Sequence, residues 1–140
     1  MTAADRYAAG PAMEARLAEL EPPYRSRGEA QVGRFLRRYR LPFLYEPPVP
    51  VYHNGRWRTW HPDFLLPEHG DLLIEYAGMI SDPAYRRSAM AKRRAYGANG
   101  YRALFLYPAD IRGPDWPRRL LDRVQRAYGA RRAYGRRSTY

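Results

Sequence analysis

The segment Leu72-Leu73-Ile74-Glu75-Tyr76-Ala77 constrains the fold of this chain more than any other stretch. It is almost continuously apolar, follows a turn signal at Gly70-Asp71, and shows no alternation of polar and apolar residues. A strand of that kind has to be covered on both faces, which calls for helices above and below a sheet. Helical patterns flank it on both sides. Ser26 with Glu29 three residues on forms a capping-box pattern. Val32, Phe35, Leu36 and Tyr39 then mark an inward stripe, and Pro42 stops the helix. Downstream, Ser81 or Asp82 caps a helix with Pro83 in its first turn. Tyr85, Ala89, Lys92 and Tyr96 share one face of it, and Gly97 and Gly100 end it. Asp115 and Pro117 open a last helix with Trp116, Leu120, Val124 and Tyr128 on one side.

Strand patterns fill the interval. Phe43-Leu44-Tyr45 is short and extended, and Val49 to His53 is a second segment. Asn54-Gly55 is a strong hairpin signal, from which Arg56 to Trp60 returns. His61 to Leu66 reads as a strand opened by proline, and Tyr101 to Tyr107 as a second buried strand. The order is helix, three or four strands, helix, strand, helix. A strand–helix–strand crossover requires at least one parallel pair. The expected class is therefore α/β, with a mixed central β-sheet flanked by helices. The expected division is an N-terminal helical arm over 1–24, interrupted at Gly10-Pro11, a core over 25–128, and a basic, flexible tail over 129–140.

Composition narrows the function. The chain has 140 residues, enough for one sizeable core. Absence of cysteine removes disulfides and thiolate zinc sites. No apolar run approaches the length of a membrane span, and the N-terminus lacks the basic-then-apolar order of a signal peptide, so the expectation is a soluble, cytoplasmic protein. The net charge of +11 points to a polyanion, with nucleic acid the natural partner. Of 25 basic residues, 24 are arginine; the exception is Lys92.

Three acids stand where acids are costly. Glu75 interrupts the apolar strand on the face of Leu73 and Ala77; Asp63 precedes Phe64-Leu65-Leu66; Glu29 lies one turn before Val32. A core-facing carboxylate needs a hydrogen-bond partner, a counter-ion or a metal. Converging carboxylates repel one another unless a cation sits between them, and oxygen ligands suit Mg²⁺ or Mn²⁺. Simpler assignments exist for each: Glu29 as a capping-box glutamate, Asp63 as a turn residue, Glu75 paired with an arginine, Lys92 reaching out to solvent, Tyr96 as core.

Pro62-Asp63 followed twelve residues later by Glu75-Tyr76-Ala77 resembles the PD-(D/E)XK nuclease motif. The helix–strands–helix–strand order is similar to its restriction-endonuclease-like αβββαβ core, and the resemblance covers roughly residues 25–128. It implies a metal-dependent deoxyribonuclease that leaves a 5′-phosphate and a 3′-hydroxyl. Asp63, Glu75 and the Tyr76 carbonyl would be metal ligands, and Glu29 would match the first-helix glutamate of many relatives. Lys92 and Tyr96 are spaced like the glutamine and tyrosine of the exonuclease-type branch. The motif lysine should stand at position 77, where this chain has Ala77. The resemblance then implies a relocated amine, Lys92, orienting the attacking water or stabilising charge on the phosphate. Otherwise the domain is an inactive nuclease fold that binds nucleic acid. Arg34, Arg37, Arg38, Arg56, Arg58, Arg86 and Arg93 are candidate phosphate contacts, and Arg131, Arg132, Arg136 and Arg137 add basic charge to the tail. His61 is a candidate base or supporting group. By analogy with the fold, a small single-strand-cutting site implies a homodimer. A third reading, a carbohydrate hydrolase using Asp63 and Glu75 as an acid pair, sits poorly with the positive charge.

Overall fold

The computed structural model describes the backbone of residues 11–12 and 21–137, with side chains through residue 129. Most of the expected N-terminal arm falls outside the described residues, as do the last three residues of the tail. The described chain is mixed α/β: α1 (Arg27–Arg38), β1 (Leu44–Tyr45), β2 (Val49–His53), β3 (Arg56–Trp60), β4 (Phe64–Leu66), β5 (Leu72–Tyr76), α2 (Pro83–Ala98), β6 (Ala103–Leu106) and α3 (Trp116–Arg137). Short 3₁₀ turns occupy Pro67–His69 and Pro108–Ile111.

The main sheet has the order β1-β4-β5-β6. β1 and β5 each run antiparallel to β4, whereas β5 and β6, joined through α2, are parallel. β5 is buried on both faces, as its apolar run demands. Leu72 and Ile74 join Val32, Phe35 and Leu36 of α1 and Leu120 and Val124 of α3 in one core. Leu73 faces the other way, with Val49, Val51, Ala95, Tyr96 and Phe105. Burying each such side chain stabilises the fold by about 1.5–3 kcal/mol. β5 thereby fixes α1 and α3 on one side of the sheet and α2 on the other.

Two expectations require correction. The β2–β3 hairpin is not part of the central sheet; it forms a two-stranded sheet of its own. β3 carries Arg56, Trp57, Arg58 and Thr59, all exposed, so it has almost no apolar side to bury, whereas β2 inserts Val49 and Val51 into the second core. The turn itself is as expected: Asn54 and Gly55 both adopt positive φ (52° and 77°), the pair a type I′ turn requires. The last helix also runs past residue 128 to Arg137. Alanine and arginine are good helix formers, and a helix already nucleated is extended at little cost.

The capping signals are borne out. The Ser26 hydroxyl accepts the Glu29 N–H at 3.1 Å, and the Asp82 carboxylate accepts the Ala84 N–H at 3.0 Å. Among the described residues no helix is long and apolar enough to cross a membrane.

Gly28 is a packing requirement. A Cβ at this position would lie 2.0 Å from the Tyr76 ring, which rests directly on the α1 backbone. Gly97 of α2 is exposed, and a Cβ there would meet nothing within 4 Å. Gly28→Ala is therefore expected to lower the unfolding free energy by about 1–3 kcal/mol in urea titration. Gly97→Ala, tested in parallel, is expected to raise it by roughly 0.5–1 kcal/mol through helix propensity.

Candidate active site

The site begins where the β4–β5 ladder ends. Phe64 pairs with Ile74, which brings Asp63 opposite Glu75. Side chains continue the ladder from there: the Asp63 N–H donates to Glu75 Oε1 at 2.9 Å, and the Tyr76 N–H donates to Asp63 Oδ2 at 2.7 Å. Each acid thus accepts a backbone hydrogen bond from the opposite strand. Burial is the main cause raising both carboxyl groups above their ordinary range, and for Asp63 the neighbouring Glu75 charge adds to it. Asp63 is pushed up to about 7.

The second oxygen of Glu75, Oε2, accepts Lys92 Nζ at 2.5 Å. Lys92 comes from the middle of α2, on the stripe that faces the sheet, and its side chain is 36% exposed against 8% for Glu75. The methyl of Ala77 leaves room for it. Ala77 and Lys92, with Glu75, Tyr85 and Ser88, line a cavity of about 130 Å³. A lysine at position 77 and Lys92 would compete for that space. One turn along α2, Tyr96 is fully buried, and its hydroxyl has no hydrogen-bond partner among the described residues. Burial, then the charges of Glu75 and Asp63, raise its pKa.

Glu29 approaches from the opposite face of the sheet. It is buried, accepts the Tyr45 hydroxyl at 3.0 Å and receives the Ser26 hydroxyl at 3.3 Å. Its backbone N–H is capped by Ser26, while its carboxylate takes the two hydroxyls and reaches the acid cluster. Glu29, Glu46 and Asp63 each offer one carboxylate oxygen, all within 4.8 Å of one another. Glu46 adopts φ 51°, a left-handed conformation costing about 1–2 kcal/mol for a residue with a side chain. Its N–H donates to the Asp63 carbonyl at 3.0 Å, and its carboxylate pairs with Arg25 at 2.8 Å. This all-oxygen, half-buried donor set suits a hard divalent cation.

Asp63, Glu75, Lys92, Tyr96 and Glu29 therefore converge. Tyr76 belongs to the same place through its N–H and through its ring over Gly28. His61 lies at the rim, with Nδ1 donating to the Glu46 carbonyl at 3.1 Å, which requires the Nδ1-protonated tautomer. Pattern reading misses Glu46, which precedes Pro47-Pro48 outside any periodic segment. It also misses Tyr85 as a site residue; burial and then the charges of Asp63, Glu75 and Glu29 raise the pKa of its hydroxyl.

The candidate phosphate contacts are more scattered. Arg34 pairs with Glu21 at 3.2 Å, Arg38 lies over the Tyr39 ring, and Arg86 donates to the Ile80 carbonyl at 3.0 Å. Arg37 is half-buried on α1. Arg56, Arg58 and Arg93 are exposed and make no salt bridge with a described residue. A cleft of about 420 Å³ runs between the hairpin and α2, lined by His53, Thr59, Trp60, His61, Ser88 and Lys92.

No family model and no solved structure matches the chain. Among curated proteins, a 1,4-alpha-glucan branching enzyme GlgB of Leifsonia xyli subsp. xyli (strain CTCB07) is 32% identical over 122 residues. The alignment takes in 81% of this chain, which spans 16% of the length of that enzyme.

The raised Asp63 pKa has a definite sign in stability. Without divalent ions the folded state holds a proton that the unfolded chain has released, so stability falls as pH rises from about 3.8 to about 7. Thermal melts of wild type and Asp63→Asn in EDTA are expected to diverge over that window, the variant becoming relatively more stable toward pH 8. Mg²⁺ or Mn²⁺ is expected to raise the wild-type Tm at pH 8 more than at pH 5.5, and to leave that of Asp63→Asn nearly unchanged.

Proposed function

We propose that this chain is a divalent-metal-dependent nuclease that hydrolyses DNA phosphodiester bonds, with Lys92 supplying the amine that the resembled motif places at position 77. The single observation that carries this reading is the Lys92 ammonium on Glu75, whose other oxygen is held by the Asp63 N–H.

Asp63 and Glu29 would hold the cation with Glu46 as a further oxygen donor, and Glu75 would join them. The Tyr76 carbonyl remains the backbone ligand implied by the resemblance. When bound, Mg²⁺ or Mn²⁺ would lower the pKa of an attacking water and neutralise charge on the phosphate. The chain's own groups do the positioning. The two backbone hydrogen bonds fix the Asp63 and Glu75 carboxylates in place before substrate arrives. Lys92 stands beside Glu75 and at the wall of the cleft. There its N–H groups can orient a water or stabilise the charge that builds on the phosphoryl oxygens as the bond to the 3′ oxygen breaks. Tyr96, buried beside Glu75, keeps the inner side of the pocket dry. Arg56, Arg58 and Arg93 attract the phosphate backbone, in line with the net charge of +11.

A specific observation favours one alternative, an inactive nuclease-fold protein that binds nucleic acid. Both Glu75 oxygens already have protein partners, Lys92 and the Asp63 N–H, and Arg25 compensates Glu46. The GlgB relative is named for branching 1,4-alpha-glucan, which would suggest a carbohydrate-active site. Such chemistry needs two carboxyl groups facing one sugar, whereas these acids face the opposite strand's amides, each other and Lys92.

Supercoiled plasmid is expected to be nicked by the wild type with Mg²⁺ or Mn²⁺ and not with EDTA. Lys92→Ala is expected to cut about 10²–10³-fold more slowly while binding DNA in EDTA within about twofold of wild type. Adding Ala77→Lys to Lys92→Ala should restore part of the rate, because both positions open on the same cavity. Binding without nicking under either metal would select the inactive alternative.

A further inference from the structure

The cleft between the β2–β3 hairpin and α2 offers more than the acid chemistry uses. Cross-strand partners share a face of a hairpin, and the register sets Val49 against Trp60, Val51 against Arg58 and His53 against Arg56. One face therefore carries Trp60, Arg58, Arg56 and His53 together with the two valines. The valines pack into the second core with Ala95 and Tyr96 of α2, so this is the face turned toward α2. Tyr52 and Trp57 lie on the other face and take no part in the cleft.

Rings, charge and size together select an occupant. Trp60 is half-buried, packs on the second core edge to face with Tyr96 at 5.4 Å, and has the His53 ring 5.3 Å away. Both rings line the cleft. The hairpin that carries them is anchored: Asn99 accepts the Tyr52 N–H at 2.8 Å and donates to the Tyr52 carbonyl at 3.0 Å, and the Tyr101 hydroxyl donates to the Pro50 carbonyl at 2.8 Å. Ordering the rings on binding therefore costs little. None of the residues lining the cleft is acidic. Lys92 at its wall is engaged by Glu75, but Arg58 and Arg56 follow Trp60 along the same face, exposed and without a salt bridge to a described residue. These cations continue past Trp60 toward the hairpin turn, which suits a chain of phosphates rather than a free nucleotide. A neutral sugar would gain nothing from them. The cleft holds about 420 Å³, a volume for one small ring-bearing group and not for a stacked duplex. A ring set inside a cleft meets the face of a base only when that base has left its stack. Ser88 and Lys92 line both this cleft and the cavity at Glu75, so its occupant lies next to the acid site.

We propose that this cleft is a subsite for one unstacked nucleotide of a DNA strand, with its base against Trp60 and the neighbouring phosphates toward Arg58 and Arg56. The subsite rests on the reading that the chain acts on DNA, and names Trp60 as the residue that selects DNA in which a base has left the helix. The occupied cleft sets the adjoining phosphate beside Lys92. Fully paired duplex keeps its bases stacked on one another and gains only the arginine contacts.

Fluorescence anisotropy in EDTA tests this without cleavage. The probes are a labelled fully paired duplex, the same duplex with a single unpaired adenine bulge, and the same bulge with its base removed. The third probe keeps the backbone distortion and lacks only the ring. Wild type should bind the adenine bulge about tenfold more tightly than the baseless bulge. Two variants should reduce that advantage to within about twofold. Trp60→Leu keeps apolar bulk against the second core and removes the stacking face. Ala91→Phe fills the cleft from the α2 side and leaves Trp60 in place. Thermal melts show which variants fold, and either one suffices. Arg58→Ala should weaken all three probes alike. Equal affinity of wild type for the two bulges, or an advantage that survives either folded variant, would overturn the subsite and leave the nuclease reading standing. No binding to any probe would overturn both. A 1,4-alpha-glucan oligosaccharide that quenches tryptophan fluorescence in wild type and not in Trp60→Leu, with no discrimination between the bulges, would give the cleft to a neutral sugar and overturn the subsite.

Discussion

Two carboxylates that each accept an N–H from the opposing strand hold this molecule's centre in register. The Asp63–Glu75 exchange continues the β4–β5 ladder by side chains where its backbone pairing ends. Burying two acids side by side is unfavourable, by desolvation and by mutual repulsion. The amide donors and the Lys92 ammonium offset that cost, and a proton held on Asp63, whose pKa burial pushes up to about 7, offsets more of it. A sheet end built only for stability would place apolar side chains here. The acids therefore mark a place where the sheet end carries an electrostatic cost that packing alone would avoid.

The amine beside Glu75 shows how size and shape choose between basic residues. Elsewhere this chain meets every need for positive charge with arginine. The cavity at Ala77 is only about 130 Å³ and already includes the Tyr85 and Ser88 side chains on its wall. A compact ammonium on a flexible stem fits there, whereas a planar guanidinium would need several donors satisfied at once. The long reach from α2 to β5 is made short by Ala77, whose methyl group stands where a longer side chain would block the approach.

The layered α/β architecture could be read from the chain because its signals are local and strong. The unbroken apolar run of β5, the Asn54-Gly55 turn, the Ser26 and Asp82 caps and the helical stripes each act within a few residues. Membership of the separate β2–β3 sheet was not legible, because whether a hairpin joins a sheet depends on what distant residues its faces meet. Asp63, Glu75 and Lys92 could be found because each breaks an apolar pattern or a compositional habit. Glu46 gave no such signal. It lies between a tyrosine and two prolines, and only the φ 51° backbone and the Asp63 carbonyl contact turn it into the cluster. Tyr85 was legible as an inward residue of α2, but its exposure to the acids is a fact of tertiary packing.

The acid pocket takes one or more groups from α1, the segment after β1, the start of β4, β5 and α2, which are brought together across the width of the sheet. No stretch of consecutive residues contains it. A copy still emerging from the ribosome, or one opened by heat between α1 and α2, has the same acids and the same amine but nowhere to gather them. Whatever chemistry this pocket supports, only finished molecules can carry it out.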